Sequence, residues 1–371
     1  MIKILTVIGA RPQIIKAAAI SRAVKEHFAD MIEERILHTG QHYDTNMSQV
    51  FFDELGIPAP NYNLGVGSCS HGTQTAKMIE GIERVLSSEH FDGIILYGDT
   101  NSTLAGAVAA AKLHVPVFHV EAGLRSYNMA MPEEQNRIVC DHLSSILFAP
   151  TQTAVDNLAA EGLVNSRTVF QNGNRRQVIN SGDVMYDNAL YFSSLADQKS
   201  HILESCQVAA GNYILATVHR DFNTDNPEKI GSIFKALSTI ADQEDIPVIL
   251  PLHPRTKKYL PDNLSKRIII IPPASFFDIL TLEKSAKLVM TDSGGVQKEA
   301  FFFGKPCIIL RPETEWVEII QQKAGILADA DYDRIIKAYQ DLSCQVVFFP
   351  PLFGDGNAAN TILQSILDFL N

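Results

Sequence analysis

No CxxC pair occurs anywhere in this chain. The 5 cysteines, Cys69, Cys140, Cys206, Cys307 and Cys344, are scattered, and an odd number does not suit a disulfide framework. Reduced thiols are the expectation. The histidines form no HExxH, and although His38 and His42 stand four residues apart, no further ligand completes a zinc spacing. Neither a metal nor another cofactor is expected. No apolar run approaches the roughly 20 residues that cross a bilayer, and no leader-like segment precedes the first strand. A soluble, cytoplasmic protein without a membrane partner is expected. Positive charge is also scarce: 31 Lys and Arg against 42 Asp and Glu leave a formal charge of -11. A broad nucleic-acid or anionic-membrane surface is thereby excluded, while a small anion remains open to a few converging cations.

At 371 residues the chain exceeds the usual single core, and its apolar content of 46% is ordinary for a globular protein. Strand and helix patterns alternate through the first half: Ile2 to Ile8, a helix from Pro12, a strand at Arg35 to Leu37, a helix from His71, then strands Ile94 to Tyr97 and Val115 to Val120. After the turn-rich SGDVMYD at Ser181 to Asp187 a second series follows: Tyr213 to Val218, Val248 to Leu252, Ile268 to Ile271, Leu288 to Thr291 and Cys307 to Leu310. Alternation of this kind predicts parallel sheets with helices on both faces. The expected fold is α/β, two Rossmann-like domains whose parallel sheets face a central cleft. The domains predicted are 1–183 and 184–353, with a terminal helix over 354–371 carrying Ile362, Leu363, Ile366, Leu367 and Leu370 at helical spacing.

Three acids stand beside the two inner strands of the first half. Asp99 and Glu121 fall just past strand carboxyl ends, the edge at which open α/β sheets bind ligands, and Glu133 follows closely. Grouped carboxylates suit proton chemistry. Each also has a plainer reading: Asp99 as the cap of the next helix, Glu133 and Glu134 as a first-turn acidic cluster after Pro132. Glu121 interrupts the apolar VFHVEAG and needs partners, for which Arg125 and His119 are candidates.

Cations and glycines occupy the other strand ends. GARPQIIK places Pro12 at the start of a helix with Arg11 and Lys16 flanking its first turns, a candidate phosphate site. In TDSGGVQKEA, Ser293, Gly294 and Gly295 let backbone amides approach a diphosphate, and Glu299 lies one turn on, where an acid can accept from ribose hydroxyls. His219 and Arg220 follow one buried strand, and His253 and Arg255 another. Alone, each is an ordinary loop residue. Together, four such edges describe a bi-lobed site for a nucleotide diphosphate.

Taken in order, GARPQIIK, HTGQHYD, YGDTNST, HVEAGLRSYN, MPEEQNR, SGDVMYD, TVHR and TDSGGVQKEA closely resemble the non-hydrolysing UDP-N-acetylglucosamine 2-epimerase family over nearly the whole chain. The resemblance implies a GT-B-like fold, a homodimer, UDP held between the domains and the terminal helix returning to the first. It implies that Asp99, Glu121 and Glu133 are the acid/base carboxylates and His219 the essential histidine near the diphosphate. Arg11 and Lys16 match the active-site floor, and Ser293, Gly294, Gly295 and Glu299 the residues that hold diphosphate and ribose. GVGSCSHGTQT at Gly65 to Thr75 departs from the stretch that helps form a second, activating site in many bacterial members, although Gln41 and His42 remain. LRPETEWVE, EAFFFGKPC, SGDVMYDNALYF and LPLHPRT resemble the subgroup acting on UDP-2,3-diacetamido-2,3-dideoxyglucuronate, converting gluco to manno isomer. Arg255, Lys257 and Lys258 are candidate partners for a uronate carboxylate, or simply a solvated loop.

Carbon 2 of a UDP-linked acetamido sugar is not adjacent to a carbonyl, so direct proton abstraction is unfavourable. Elimination of UDP acidifies that carbon, and re-addition from a glycal with a proton on the opposite face inverts it. The path needs acid/base groups on both faces, a cationic grip on UDP and exclusion of water. Alternatives are a UDP-GlcNAc to UDP-ManNAc epimerase, a GT-B glycosyltransferase, a hydrolysing epimerase and a non-catalytic UDP-sugar binder.

Overall fold

Ile2–Ile8 (β1) is a run of aliphatic and β-branched residues, buried from Ile4 to Ile8. A strand apolar on both faces needs cover on both sides, which parallel sheets obtain from crossover helices. The computed structural model describes residues 1–41, 56–165, 173, 175–252, 260–261 and 264–371, and these divide into two units, Met1–Asn188 with Pro351–Asn371, and Ala189–Pro350.

In the first unit β1 is joined by β2 (Ile32–His38), β3 (Tyr62–Asn63), β4 (Gly93–Tyr97), β5 (Val117–Val120), β6 (Ile146–Ala149) and β7 (Gln177–Asn180). All pair in parallel, in the order β3-β2-β1-β4-β5-β6-β7. The order reverses between β1 and β4, so the crevice at which doubly wound sheets bind ligands opens beside these strands. The helix Asn101–Lys112 is Ala-rich and lies close on β4, since a Cβ at Gly106 would stand 2.5 Å from a Leu96 methyl. On the same face Met78 and Ile82 of the helix His71–Ser88 pack with Leu5, Val7, Ile94 and Leu96. The helix Ala358–Leu370 packs against the helix Arg11–Ala23 and sets Phe369 edge-on to Phe118, ring centroids 5.9 Å apart. Asp187 holds its start, accepting from the Ala358 and Ala359 amides at 3.1 and 2.8 Å.

The second unit repeats the pattern with β8 (Ile214–Thr217), β9 (Val248–Pro251), β10 (Ile268–Ile271), β11 (Leu288–Thr291), β12 (Cys307–Ile309) and β13 (Gly325–Leu327), ordered β10-β9-β8-β11-β12-β13. Side chains alternate between two cores, as a period of two demands. Ile214, Ala216, Val248, Leu250, Met290 and Ile308 face one, covered by Ile230, Ile233, Phe234 and Leu237 of one helix and Ile335, Tyr339 and Leu342 of another. Leu215, Ile249, Val289, Cys307 and Ile309 face the other with Leu282 and Ala300.

Two parallel-sheet α/β domains of Rossmann type are therefore present. The strand expected over Val115 to Val120 begins only at Val117, because the Val115 amide is spent on the Ala110 carbonyl at the end of the preceding helix. β3, β6, β7 and β13 had no counterpart in the sequence reading.

Candidate active site

In the first unit the candidate residues gather where β1, β4 and β5 end. The helix Arg11–Ala23 starts with Pro12 in its first turn, and Gln13 supplies the missing cap: its Oε1 accepts from the Gly9 and Ala10 amides at 2.9 and 3.2 Å. The buried Gln13 amide also donates to the Tyr97 carbonyl and to Thr103, both at 3.0 Å, which ties this helix to the end of β4. Arg11 is exposed at the first position. Lys16, one turn further, donates to Glu121 Oε1 at 2.6 Å.

Glu121 follows β5 directly and adopts φ 71°, a left-handed conformation uncommon outside glycine. Its amide is held by the Phe148 carbonyl at 3.1 Å. Gly98, at φ 61°, leaves the space this pair occupies: a Cβ there would lie 3.0 Å from Lys16 Nζ and 3.4 Å from Glu121 Oε1. Asp99 does not cap the next helix. Thr100 does, accepting from Thr103 N, and Asp99 instead takes Arg137 Nη2 at 2.5 Å. Burial pushes the Asp99 carboxyl above its ordinary value; Arg137 and Lys16 oppose this, and Glu121 and Glu133 add to it.

The neighbouring glutamates of MPEEQNR have different surroundings. Glu134 is buried and accepts from Ser126 N, Ser126 Oγ and Tyr127 N, each at 3.0 Å, and from Arg137 at 2.8 Å. Burial would raise its carboxyl, but the Ser126 and Tyr127 hydrogen bonds hold it below the ordinary range. Glu133 is exposed in the first helical turn, near enough for its charge to bear on Asp99.

Arg125, expected as a ligand contact or a partner for Glu121, requires a correction. Its guanidinium is 1% exposed, pairs with Asp141 at 2.8 Å and donates through Nε and Nη2 to both oxygens of Glu161 at 2.7 Å. Asp141 and Glu161 thus take up this side chain within the first unit. His119 also points to Asp141, 2.7 Å away.

In the second unit the organising group is Asp292, fully buried after β11. Its carboxylate accepts from the His219 and Arg220 amides at 3.1 and 3.0 Å and from Asn223 Nδ2 at 3.2 Å, and it lies 3.2 Å from His219 Nδ1. The loop after β8 is thereby fastened to the loop after β11. The His219 side chain is 55% exposed, and Arg220 is exposed beside it.

Ser293 caps the helix Gly294–Phe302, leaving Gly294 and Gly295 as its first residues, a ready anion site. Gly294 is buried under Glu315, whose Oε1 would stand 2.3 Å from a Cβ, and Glu315 pairs with Arg311 at 3.1 Å. Gly295 is exposed. Glu299 is half-buried one turn on, beside Glu283, which is 1% exposed. Neither Glu283 oxygen has a hydrogen-bond partner among the described residues, and burial, then the Glu299 charge, pushes its carboxyl well above the ordinary value.

His253 and Arg255, with Lys257 and Lys258, lie outside the described residues. Among the described residues no cluster of His, Cys, Asp and Glu could hold a metal, and no helix is long and apolar enough to cross a membrane. Gln13, Arg137 and Asp292 were not singled out from sequence. A Gln at the third helical position, an Arg one turn after a Glu pair and an Asp ending a strand before two glycines were the available signals.

The family described as UDP-N-acetylglucosamine 2-epimerase matches residues 24–367. The UDP-2,3-diacetamido-2,3-dideoxy-D-glucuronate 2-epimerase of Pseudomonas aeruginosa is 46% identical over 365 residues, 98% of each chain. A UDP-N-acetylglucosamine 2-epimerase homolog of Methanococcus maripaludis is 45% identical over 374 residues, again 98% of each. Among solved structures, the UDP-GlcNAc 2-epimerase of Methanocaldococcus jannaschii in complex with UDP-GlcNAc and UDP superposes with a TM-score of 0.83 at 39% identity, covering 98% of this chain and 99% of that one.

Proposed function

The chain belongs to the UDP-N-acetylglucosamine 2-epimerase family, and from that premise we propose that this UDP-sugar 2-epimerase acts on UDP-2,3-diacetamido-2,3-dideoxyglucuronate, converting the gluco to the manno isomer. The observation that carries the substrate is the 46% identity, end to end, with the Pseudomonas aeruginosa enzyme of that name. Conversion of UDP-GlcNAc to UDP-ManNAc is the second reading, favoured by the Methanocaldococcus jannaschii relative with UDP-GlcNAc bound. A cytoplasmic homodimer supplying surface polysaccharide synthesis, lipopolysaccharide included, belongs to the same proposal and rests on the family resemblance.

In this reading the bond between the anomeric carbon and the UDP oxygen breaks first, and UDP departs with the electron pair. The cation left on the sugar acidifies carbon 2. A carboxylate takes that proton, giving the glycal; a second carboxylate then delivers a proton to the other face while a UDP oxygen re-forms the bond to carbon 1. Two of Asp99, Glu121 and Glu133 exchange the proton. Support comes from the Asp99 carboxyl, which burial raises above its ordinary value, and from Glu121, whose charge is matched by Lys16. Arg11, Lys16, His219 and the amides at Ser293 to Gly295 stabilise the departing diphosphate, and Glu299 accepts from the ribose.

Proton NMR in deuterated water tests this. The uronate is expected to gain deuterium at carbon 2 together with a growing manno product, and UDP-GlcNAc to stay unexchanged. Turnover of UDP-GlcNAc with the uronate untouched replaces the first reading by the second.

A further inference from the structure

His119 ends in a place that leaves it no neutral form. Its side chain is fully buried, with Nδ1 2.7 Å from Asp141 Oδ1 and Nε2 2.8 Å from the Gly98 carbonyl oxygen. A carbonyl oxygen has no proton to give, so Nε2 must carry one. Asp141 Oδ2 accepts from the Gly123 amide at 3.2 Å and pairs with Arg125 at 2.8 Å, so this carboxyl is an anion and Oδ1 also only accepts. Both ring nitrogens therefore donate. We infer that His119 is a buried imidazolium that serves as a positioning residue for Asp99, fixing the Gly98–Asp99 peptide without itself exchanging a proton with the sugar. The inference rests on the reading of Asp99 as an acid/base group.

Around the ring stand the Asp141 carboxylate, the partly exposed Glu161 and the guanidinium groups of Arg125 and Arg176, so net charge alone does not fix its protonation; the two acceptors on its nitrogens do. Burial alone would lower the imidazole and raise the Asp141 carboxyl. The Cys140 and Asp141 neighbours instead hold the ring well above its ordinary value, and the ring and Arg125 hold Asp141 below.

What the ring grips is the backbone that carries Asp99. Gly98 donates its amide to the Val120 carbonyl at 3.0 Å and receives His119 on its own carbonyl. The Asp99 carbonyl accepts from Asn136 at 2.9 Å. Both carbonyls flanking the Asp99 Cα are thus pinned, one by a charged donor in a dry site, where such bonds are strongest. Rotation of the Gly98–Asp99 peptide would swing the Asp99 carboxyl relative to Glu121. His119 prevents that rotation, and a displacement of about 1 Å costs on the order of 100-fold in rate.

Nitrogen NMR of the ring in the intact protein, between pH 6 and 9, is the first test. Two protonated ring nitrogens throughout are expected; a neutral tautomer at pH 8 overturns the inference. In kinetics with the sugar that the proton-exchange assay accepts, folded His119→Ala is expected to lose about 100-fold in kcat with KM within about 3-fold. His119→Gln keeps a donor for the Gly98 carbonyl and is expected to recover about 10-fold of it. A folded His119→Ala enzyme at wild-type kcat overturns the inference, as does a Gln variant no better than a folded Ala variant. Should His119→Ala fail to fold, His119→Gln decides: its kcat is expected about 10-fold below the wild type with KM within about 3-fold, and wild-type kcat in this variant overturns the inference. Wild-type protein that exchanges neither sugar removes the proposed function instead, and the ring nitrogens still judge the charge on His119.

Discussion

Lys16 Nζ lies 2.6 Å from Glu121 Oε1, joining the first helix of the chain to the residue after β5, with the two side chains only 12% and 10% exposed. Removing one partner from such a pair is costlier than never having had it, because the other charge stays behind in a poorly solvated place. Lys16→Met is therefore expected to lose about 3 kcal/mol of stability in denaturant titration. It is also expected to lose at least about 100-fold in carbon 2 exchange, through the lost grip on the diphosphate. Wild-type exchange in this variant would remove Lys16 from the chemistry.

Asp99→Asn keeps shape and removes the ionisable group. Proton exchange is expected to fall by about 10² to 10⁴, with UDP affinity in calorimetry within about 3-fold. The Asp99 carboxyl is raised in the fold, so the kinetic limb it governs is expected above its ordinary 3.8 and is expected to vanish in the variant. Exchange at the wild-type rate would contradict the assignment.

Gly294→Ala drives a methyl against Glu315 Oε1, whose end is free to swing away, so the fold is expected to survive. The displaced Glu315 carries Arg311 with it and disturbs the first amides of the helix Gly294–Phe302. UDP affinity is expected to weaken by about 10-fold, read by calorimetry. Unchanged affinity would separate these amides from the diphosphate.

Glu283 offers a pH-dependent stability test. Its carboxyl is raised in the folded state, so the protonated form stabilises below the ordinary 4.5 and that stability is lost as pH rises through the folded value. Glu283→Gln removes the loss. Near pH 8 its Tm is expected to exceed that of the wild type by about 2–4 °C, and the difference to close near pH 4. Equal melting at both pH values would contradict a buried proton on Glu283.

Strand identity was legible at β1, β4, β8 and β11 because buried apolar runs stand out, although β6, as short and as buried as β8, was missed. Asp99 and Glu121 were legible for the same reason, since a charge directly after a buried strand stands out. Arg125 misled because spacing says nothing of direction. Four residues after Glu121 it turns to Asp141 and Glu161, partners distant in sequence. Asp292 and Gln13 act mainly through backbone amides, which no residue pattern marks. Glu133 and Glu134 are adjacent and chemically identical; they are distinguished by burial and by the Ser126, Tyr127 and Arg137 donors that Glu134 alone meets among the contacts described above.

The helix Ala358–Leu370 belongs with the strands made first, although the whole of 189–350 is synthesised before it. On a ribosome the second unit therefore has all its strands in hand while the first still awaits the helix that meets Phe118 and the Asp187 carboxylate. The order of maturation is expected to run against the order of synthesis, with the nascent first unit exposing that apolar seam until this helix has been made.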